Sequence, residues 1–227
     1  MRLALLITSC LLLTVFWSNA QTNLTVKTQV GNAWQSWPND PLFGSEESIL
    51  HFGICADLFR DINERFALGV SPGFMRRGTD FEFGFMNGLI VGPPSFRAQL
   101  HLNYLQLPFL FQAKFPLKGK LGWFAQAGAG FSYLLNGYRE TRPNFGMSQR
   151  LKLDFDERDA ELNRFDFGWQ LAAGVRYPIG KGELKFSFEF YQGQIDVDQK
   201  NTSKNRNLAL GVGYQIPISK TTEQATN

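Results

Sequence analysis

The stretch RFDFGWQLAAGVRYPIGKGELKFSFEFYQG, Arg164–Gly193, decides the fold. From Phe165 every second residue is apolar (Phe165, Phe167, Trp169, Leu171, Ala173, Val175, Tyr177), while Arg164, Asp166, Gly168, Gln170, Ala172, Gly174 and Arg176 between them are small, polar or charged. The alternation resumes after Pro178–Glu183, with Leu184, Phe186, Phe188 and Phe190 set against Lys185, Ser187, Glu189 and Tyr191. A period of two puts the apolar set on one face and the polar set on the other, so this is a hairpin of two amphipathic strands.

Similar alternation predicts strands at 23–31, 49–58, 66–75, 97–114, 121–135, 164–177, 184–192 and 206–217. RDINER, FPLKGK and PIGKGE connect them as short turns. Asn32–Ser48, Arg76–Ser95, Gly137–Asn163 and Gln192–Lys204 are long connections. An even strand number with this asymmetry predicts an all-β fold, an eight-stranded antiparallel transmembrane β-barrel with short periplasmic turns and long extracellular loops. Glycine tells inside from outside. Gly53, Gly69, Gly73, Gly128, Gly130, Gly168, Gly174, Gly211 and Gly213 all share the polar parity, where a narrow barrel needs space for a few long side chains. The expected lumen network is Lys27, Asp57, Gln126, Arg176, Lys185 and Glu189. Glu189 is expected to pair with Lys27 across Gly211 and Gly213, with Arg176 as the alternative partner, because a lone buried carboxylate is costly. Trp123, Tyr177 and Tyr214 at one end of the apolar face, and Phe131, Tyr133, Phe165 and Phe167 at the other, read as two interfacial belts. A soluble lipocalin-like barrel would invert the faces and expose the charged set.

Residues 1–20 carry Arg2, an apolar run from Leu3 to Trp17, and small Ser18 and Ala20. They read as a signal peptide cleaved after Ala20, leaving a barrel over 21–218 and a polar tail over 219–227. ITSC around Cys10 resembles a lipobox and is discounted, since a long apolar run follows it. The mature chain keeps only Cys55, which excludes an internal disulfide. Past the signal no apolar run approaches the roughly 20 residues of a membrane helix. A formal net charge of +3 is too small to suggest nucleic acid.

Tyr104-Leu105-Gln106-Leu107-Pro108-Phe109-Leu110 resembles the signature of the PorT-like outer-membrane β-barrel family of Bacteroidota. SPGFMRRG (Ser71–Gly78) and AQAGAGFSYLL (Ala125–Leu135) resemble further segments of that family. The resemblance implies an eight-stranded outer-membrane barrel, in a family one branch of which assists type IX secretion. Within the signature Leu100 and Leu102 share one parity and Leu105, Leu107, Phe109 and Phe111 the other, which predicts a β-bulge near Tyr104. Residues 97–103 would then project beyond the bilayer. Pro108 has inward parity and no amide donor, so it is expected beside the bulge or against a partner needing no donor. The final strand has Gly211, Tyr214 and Ile216 at suitable spacing for the assembly machinery, although Ala209 stands where a polar residue is usual.

No catalytic residue, cofactor or metal ligand is expected. His51 and His101, the only histidines, take the inward or rim parity near the outer strand ends. A rim-sited lipid hydrolase using one of them with a serine is the rival reading. Asp154, Asp156, Glu157, Asp159 and Glu161 offer oxygens to calcium but lack a glycine turn, so a solvated loop is the expectation. The glycosylation patterns at Asn23 and Asn201 carry no weight in a bacterium. The segment DFEFGFMNGLIVGPP is unusually apolar for a loop, and Phe81, Phe83, Phe85, Met86, Leu89 and Ile90 form a candidate contact surface. The partners expected are outer-membrane lipid and a protein or surface ligand held by the loops.

Overall fold

The computed structural model describes residues 21–36, 48–84, 95–117, 120–143, 147–155, 162–198 and 203–218. The segments 1–20 and 219–227 therefore lie outside the described residues. The strands are β1 (Thr22–Ser36), β2 (Ile49–Asp61), β3 (Phe66–Val70), β4 (Gly73–Gly84), β5 (Ser95–Pro116), β6 (Gly122–Pro143), β7 (Gln149–Lys152), β8 (Phe165–Ile179), β9 (Gly182–Asp196) and β10 (Lys204–Pro217).

Every pairing is antiparallel, and the sheet closes on itself. β1 pairs with β2 on one side and with β10 on the other, the latter ladder running from Asn23↔Pro217 to Ser36↔Lys204. β10 continues to β9, β9 to β8, β8 to β6 and β6 to β5. Between β5 and β2 one position is shared by β3 and β4, and β7 pairs only with β6 beside the ring. Ten strands thus make eight ring positions.

The shared position is a strand broken at Ser71–Pro72. Pro108 of β5 stands opposite this break: its carbonyl accepts from Ser71 N at 3.0 Å, while Pro72 O accepts from Ala56 N at 2.9 Å. Two prolines on adjacent strands withhold ladder donors at the same height. The side chain of Asp57 holds the broken strand in place by accepting from Ser71 Oγ at 2.5 Å.

Alternation along the strands sorts residues cleanly. On β2, His51, Gly53, Cys55, Asp57 and Phe59 are buried inside the ring, whereas Leu50, Phe52, Ile54 and Leu58 are exposed on its outer wall. β5 corrects one expectation. Its even residues from Ala98 to Lys114 all face inward without a slip, so Leu100 and Leu102 do not lie on the outer wall. The irregularity belongs to β6: the ladder passes from Asn103↔Asn136 to Tyr104↔Leu134 and leaves Leu135 as the extra residue. What changes along β5 is the content of the interior. Above Tyr104 it becomes apolar, where Leu100, Leu102, Tyr104 and Leu134 pack with Leu153 and Val197, and Phe155 and Leu162 lie against them. Residues of the connections after β6 and β9 therefore fold over this end of the ring and close it.

The long connections are also shorter than expected. β4 runs on to Gly84 against β5, while β6 continues to Pro143 with β7 returning along it from Tyr138↔Lys152 to Thr141↔Gln149. Spanning a bilayer takes about 9–11 tilted residues. β5 and β6, at 22 residues each, therefore extend well past one end of the apolar wall.

The inward placement of Leu134 gives a direct test. Leu134→Ala opens a cavity in the closed end and should lower unfolding free energy by about 2–5 kcal/mol. Leu105→Ala, at a wall position 53% exposed to lipid, opens no cavity and loses only its lipid contact on unfolding, and should cost less, about 1–2 kcal/mol. Urea unfolding of the protein in lipid vesicles, followed by the mobility of unboiled samples, compares the two.

Candidate functional site

The interior is charged, buried and paired. Lys27 projects from β1 and places Nζ 2.7 Å from Glu189 Oε1 of β9 and 3.5 Å from Asp57 Oδ2 of β2. Glu189 accepts further hydrogen bonds from Gln29 Nε2 (2.5 Å), Ser187 Oγ (2.6 Å) and Gln170 Nε2 (3.4 Å). β10 lies between β1 and β9, and the pair crosses in front of it at Gly211. A Cβ on Gly211 would stand 2.8 Å from Glu189 Oε1 and would also meet Ser187 Oγ. A side chain at this position would push Ser187 and Glu189 from where they stand, and glycine leaves the two charges room to meet. Desolvating both ions is costly, and the several hydrogen bonds on Glu189 are what make the arrangement tolerable.

A second layer nearer the closed end centres on Arg77 of β4, which sequence reasoning missed. Its guanidinium reaches Asp166 Oδ2 (3.3 Å), Ser132 Oγ (3.3 Å) and Gln106 Oε1 (3.0 Å), and packs 3.9 Å over the Tyr191 ring. Asn205 Nδ2 donates to Asp166 Oδ2 at 3.0 Å and to Tyr104 Oη at 3.2 Å. The signal was available: Arg77 continues the inward parity of Gly73 and Met75, and placing a loop from Arg76 onward concealed it.

Toward the short-turn end, Gln126 Nε2 and Lys185 Nζ both donate to Gln112 Oε1, at 2.9 and 3.2 Å, and Lys185 lies 4.9 Å over the Phe124 ring. Lys114 pairs with Asp61 at 2.5 Å. Arg176 does not reach Glu189; it pairs with Glu183 at 2.9 Å and borders a polar vestibule of about 460 Å³ with Asn23, Asp61, Lys114 and Gln215. Of the six network residues read from the sequence, Lys27, Asp57 and Glu189 form one cluster, Gln126 and Lys185 meet through Gln112, and Arg176 stands apart.

The histidines are separated by β4. His51 is fully buried and donates from Nδ1 to Arg76 O at 2.6 Å. His101 sits on the outer side of the extended part of β5, its ring stacked on Tyr138 with centroids 4.5 Å apart. Burial, and next the Arg76 guanidinium, lower its pKa below the usual histidine value. Among the described residues no group of His, Cys, Asp and Glu could hold a metal ion. The acidic residues Asp156, Glu157, Asp159 and Glu161 lie outside the described residues, as do Phe85, Met86, Leu89 and Ile90 and the side chains of Phe81 and Phe83.

The outer wall is a continuous apolar belt. Val26, Ile54, Leu68, Phe109, Phe131, Trp169, Phe188 and Val212 are all exposed on it, with Trp123, Tyr177 and Tyr214 toward the short turns.

Residues 43–199 match the family model described as outer membrane protein beta-barrel domain. No curated protein matches the chain. Among solved structures, the outer membrane protein OprG from Pseudomonas aeruginosa is 11% identical, over 87% of this chain and 96% of that one, with a TM-score of 0.45. Neisserial surface protein A is 12% identical, over 85% and 96%, with a TM-score of 0.43. The attachment invasion locus protein Ail of Yersinia pestis, solved with the heparin analogue sucrose octasulfate, is 12% identical, over 87% and 99%, with a TM-score of 0.42.

The central cluster is testable by a double-mutant cycle. Lys27→Ala and Glu189→Ala each strand a buried charge and should each cost about 3–5 kcal/mol. The double variant should lose much less than their sum, since removing both leaves neither charge unpaired. Strict additivity in unfolding measurements would mean that the two groups do not interact.

Proposed function

The chain belongs to the outer membrane protein beta-barrel domain family and resides in the bacterial outer membrane, and from that premise we propose that it is a non-enzymatic, eight-stranded transmembrane barrel whose interior is a structural plug and whose work is done at its outer end. One observation carries this reading: the Lys27–Glu189–Asp57 and Arg77–Asp166 layers cross the interior from opposite walls. An eight-stranded ring is just wide enough for side chains. An ion passing through would have to break those pairs without replacing them.

The apolar outer wall supports a transmembrane placement against a soluble lipocalin-like barrel, because those side chains need lipid as their solvent. The rival hydrolase fares worse still. His51 is sealed inside and bonded to a backbone carbonyl, and His101 is stacked on a tyrosine, so among the described residues neither is hydrogen-bonded to a serine. Contact with a protein partner or surface ligand then falls to the projecting β4–β5–β6–β7 segment and the connections around it. The Tyr104–Leu110 motif supports placement in the PorT-like group, and with it an association with secretion.

In planar bilayers the purified protein should show no stable channel, and reproducible large conductance steps would sink the plug. Orientation has its own test. Met147, 91% exposed next to β7, should as Met147→Cys react with a membrane-impermeant maleimide on intact cells, whereas Lys181→Cys at the opposite turn should not. The reverse pattern would invert the barrel.

A further inference from the structure

The outside of the projecting sheet carries a cationic cluster at one particular height. Cross-strand register places Phe74 beside Leu105 at the top of the apolar wall, Arg76 beside Asn103 one step higher, and Gly78, His101, Tyr138 and Lys152 one step above that. With a rise of about 3.4 Å per residue and a tilt of about 40°, each two-residue step climbs about 5 Å along the membrane normal. The headgroup layer of one leaflet is about 5–8 Å deep. Arg76 thus falls within that layer, Lys152 stands just beyond it at about 10 Å, and Arg150 starts one step higher and reaches back down over the Tyr138 ring.

The cluster is built around an aromatic pair. His101 lies flat on Tyr138, the Arg150 guanidinium sits 3.5 Å above the same ring, and the Arg76 guanidinium is 5.8 Å from it. Arg76 also rests 4.5 Å over the wall residue Phe52 and spends one donor, Nε, on Asn103 Oδ1 at 3.2 Å. Its stem therefore follows the apolar wall while its head stays in the polar layer. The nearby carboxylates are already engaged: Glu140 by Arg142 at 2.8 Å, and Asp80 by Arg97 at 2.9 Å and Gln99 at 2.7 Å. Among the described residues Arg150 and Lys152 have no ion-pair partner. The charges that act most on His101 are correspondingly positive on balance, with Arg76, Arg150 and Arg142 set against Glu140.

We propose that Arg76, Arg150 and Lys152, grouped around the His101–Tyr138 pair, bind the phosphate of an anionic lipid of the outer leaflet. The planar guanidiniums offer paired donors to phosphate oxygens. Phe74 and Leu105 directly below, with Phe52 alongside Arg76 on the neighbouring strand, offer the apolar surface on which the acyl chains of the same molecule would lie. Both ends of one amphipathic molecule are thereby matched at the spacing the bilayer sets. The inference rests on the orientation proposed above, with the β4–β6 extension outermost.

The test titrates folded full-length protein in detergent with phosphorylated lipid A and with its dephosphorylated form, reading retained lipid by native mass spectrometry. The wild type should prefer the phosphorylated lipid, and Arg76→Gln with Arg150→Gln should weaken that binding by about tenfold or more. Lys181→Gln at the other end should leave it unchanged. Arg150→Gln alone, on a strand outside the ring, guards against a folding defect, and unboiled mobility verifies every variant. Equal affinity for the two lipids, an unaffected double variant, or displacement of the lipid by millimolar inorganic phosphate would each overturn the proposal. If Met147→Cys labels from outside while lipid binding is unaffected, this inference alone fails. If Met147→Cys is shielded on intact cells, the orientation fails and the inference with it.

Discussion

The interior of this ring depends on the contact between Lys27 and Glu189. At mid-height a closed sheet of eight positions is filled by side chains, so an ion buried there must be matched by another and by enough hydrogen-bond donors. Lys27 is held between Glu189 and Asp57, and Asp57 in turn ties down Ser71 at the broken strand. The central pair, the glycine that makes way for it, and the kink at Ser71–Pro72 are parts of one solution to filling a narrow cylinder.

The cylinder is filled differently at its two ends. From the short turns to the level of Tyr104 the filling is mostly polar, apart from an apolar patch of Phe59, Ala67 and Leu110, and sheds its desolvation cost through networks such as Gln126–Gln112–Lys185 and Arg77–Asp166–Asn205. Beyond Tyr104 it is a small apolar core completed by Leu153 and Val197 from the connecting segments. Hydrophobic burial suits that end because the wall outside has turned polar: Arg76, Asn103, Gln99 and Glu140 occupy the positions that leucine and phenylalanine hold lower down. The two faces of the wall exchange character where the apolar belt stops, and the bulge at Leu135 sits at that boundary.

That exchange explains what could be read from the chain and what could not. The hairpin from Phe165 to Asp196 follows its alternation residue for residue, because both of its faces keep one character throughout. Glycine at 211 and 213 pointed to the space through which Lys27 and Glu189 meet, since small residues on an inward parity have little other use. Leu100 and Leu102 were misread for the opposite reason. Periodicity reports a change of polarity along a strand, and a strand that slips and an interior that turns oily leave the same trace in one sequence. Only the neighbouring strand, with Leu135 left over, separates the two. Arg77 escaped for a related reason: a charged residue just past a predicted strand end looks like a loop, although the strand continues and turns it inward.

The position of β10 between the two partners of the central pair has a consequence for how the protein is made. Glu189 is carried by β9 and Lys27 by β1, and nothing brings these strands together except the last strand of the chain, pairing with both. Until β10 has paired with both β9 and β1, the carboxylate and the ammonium remain on opposite margins of an open sheet. Lipid would solvate neither. Sealing the wall and bringing its two central charges together are therefore one event, the pairing of β10 with both β1 and β9.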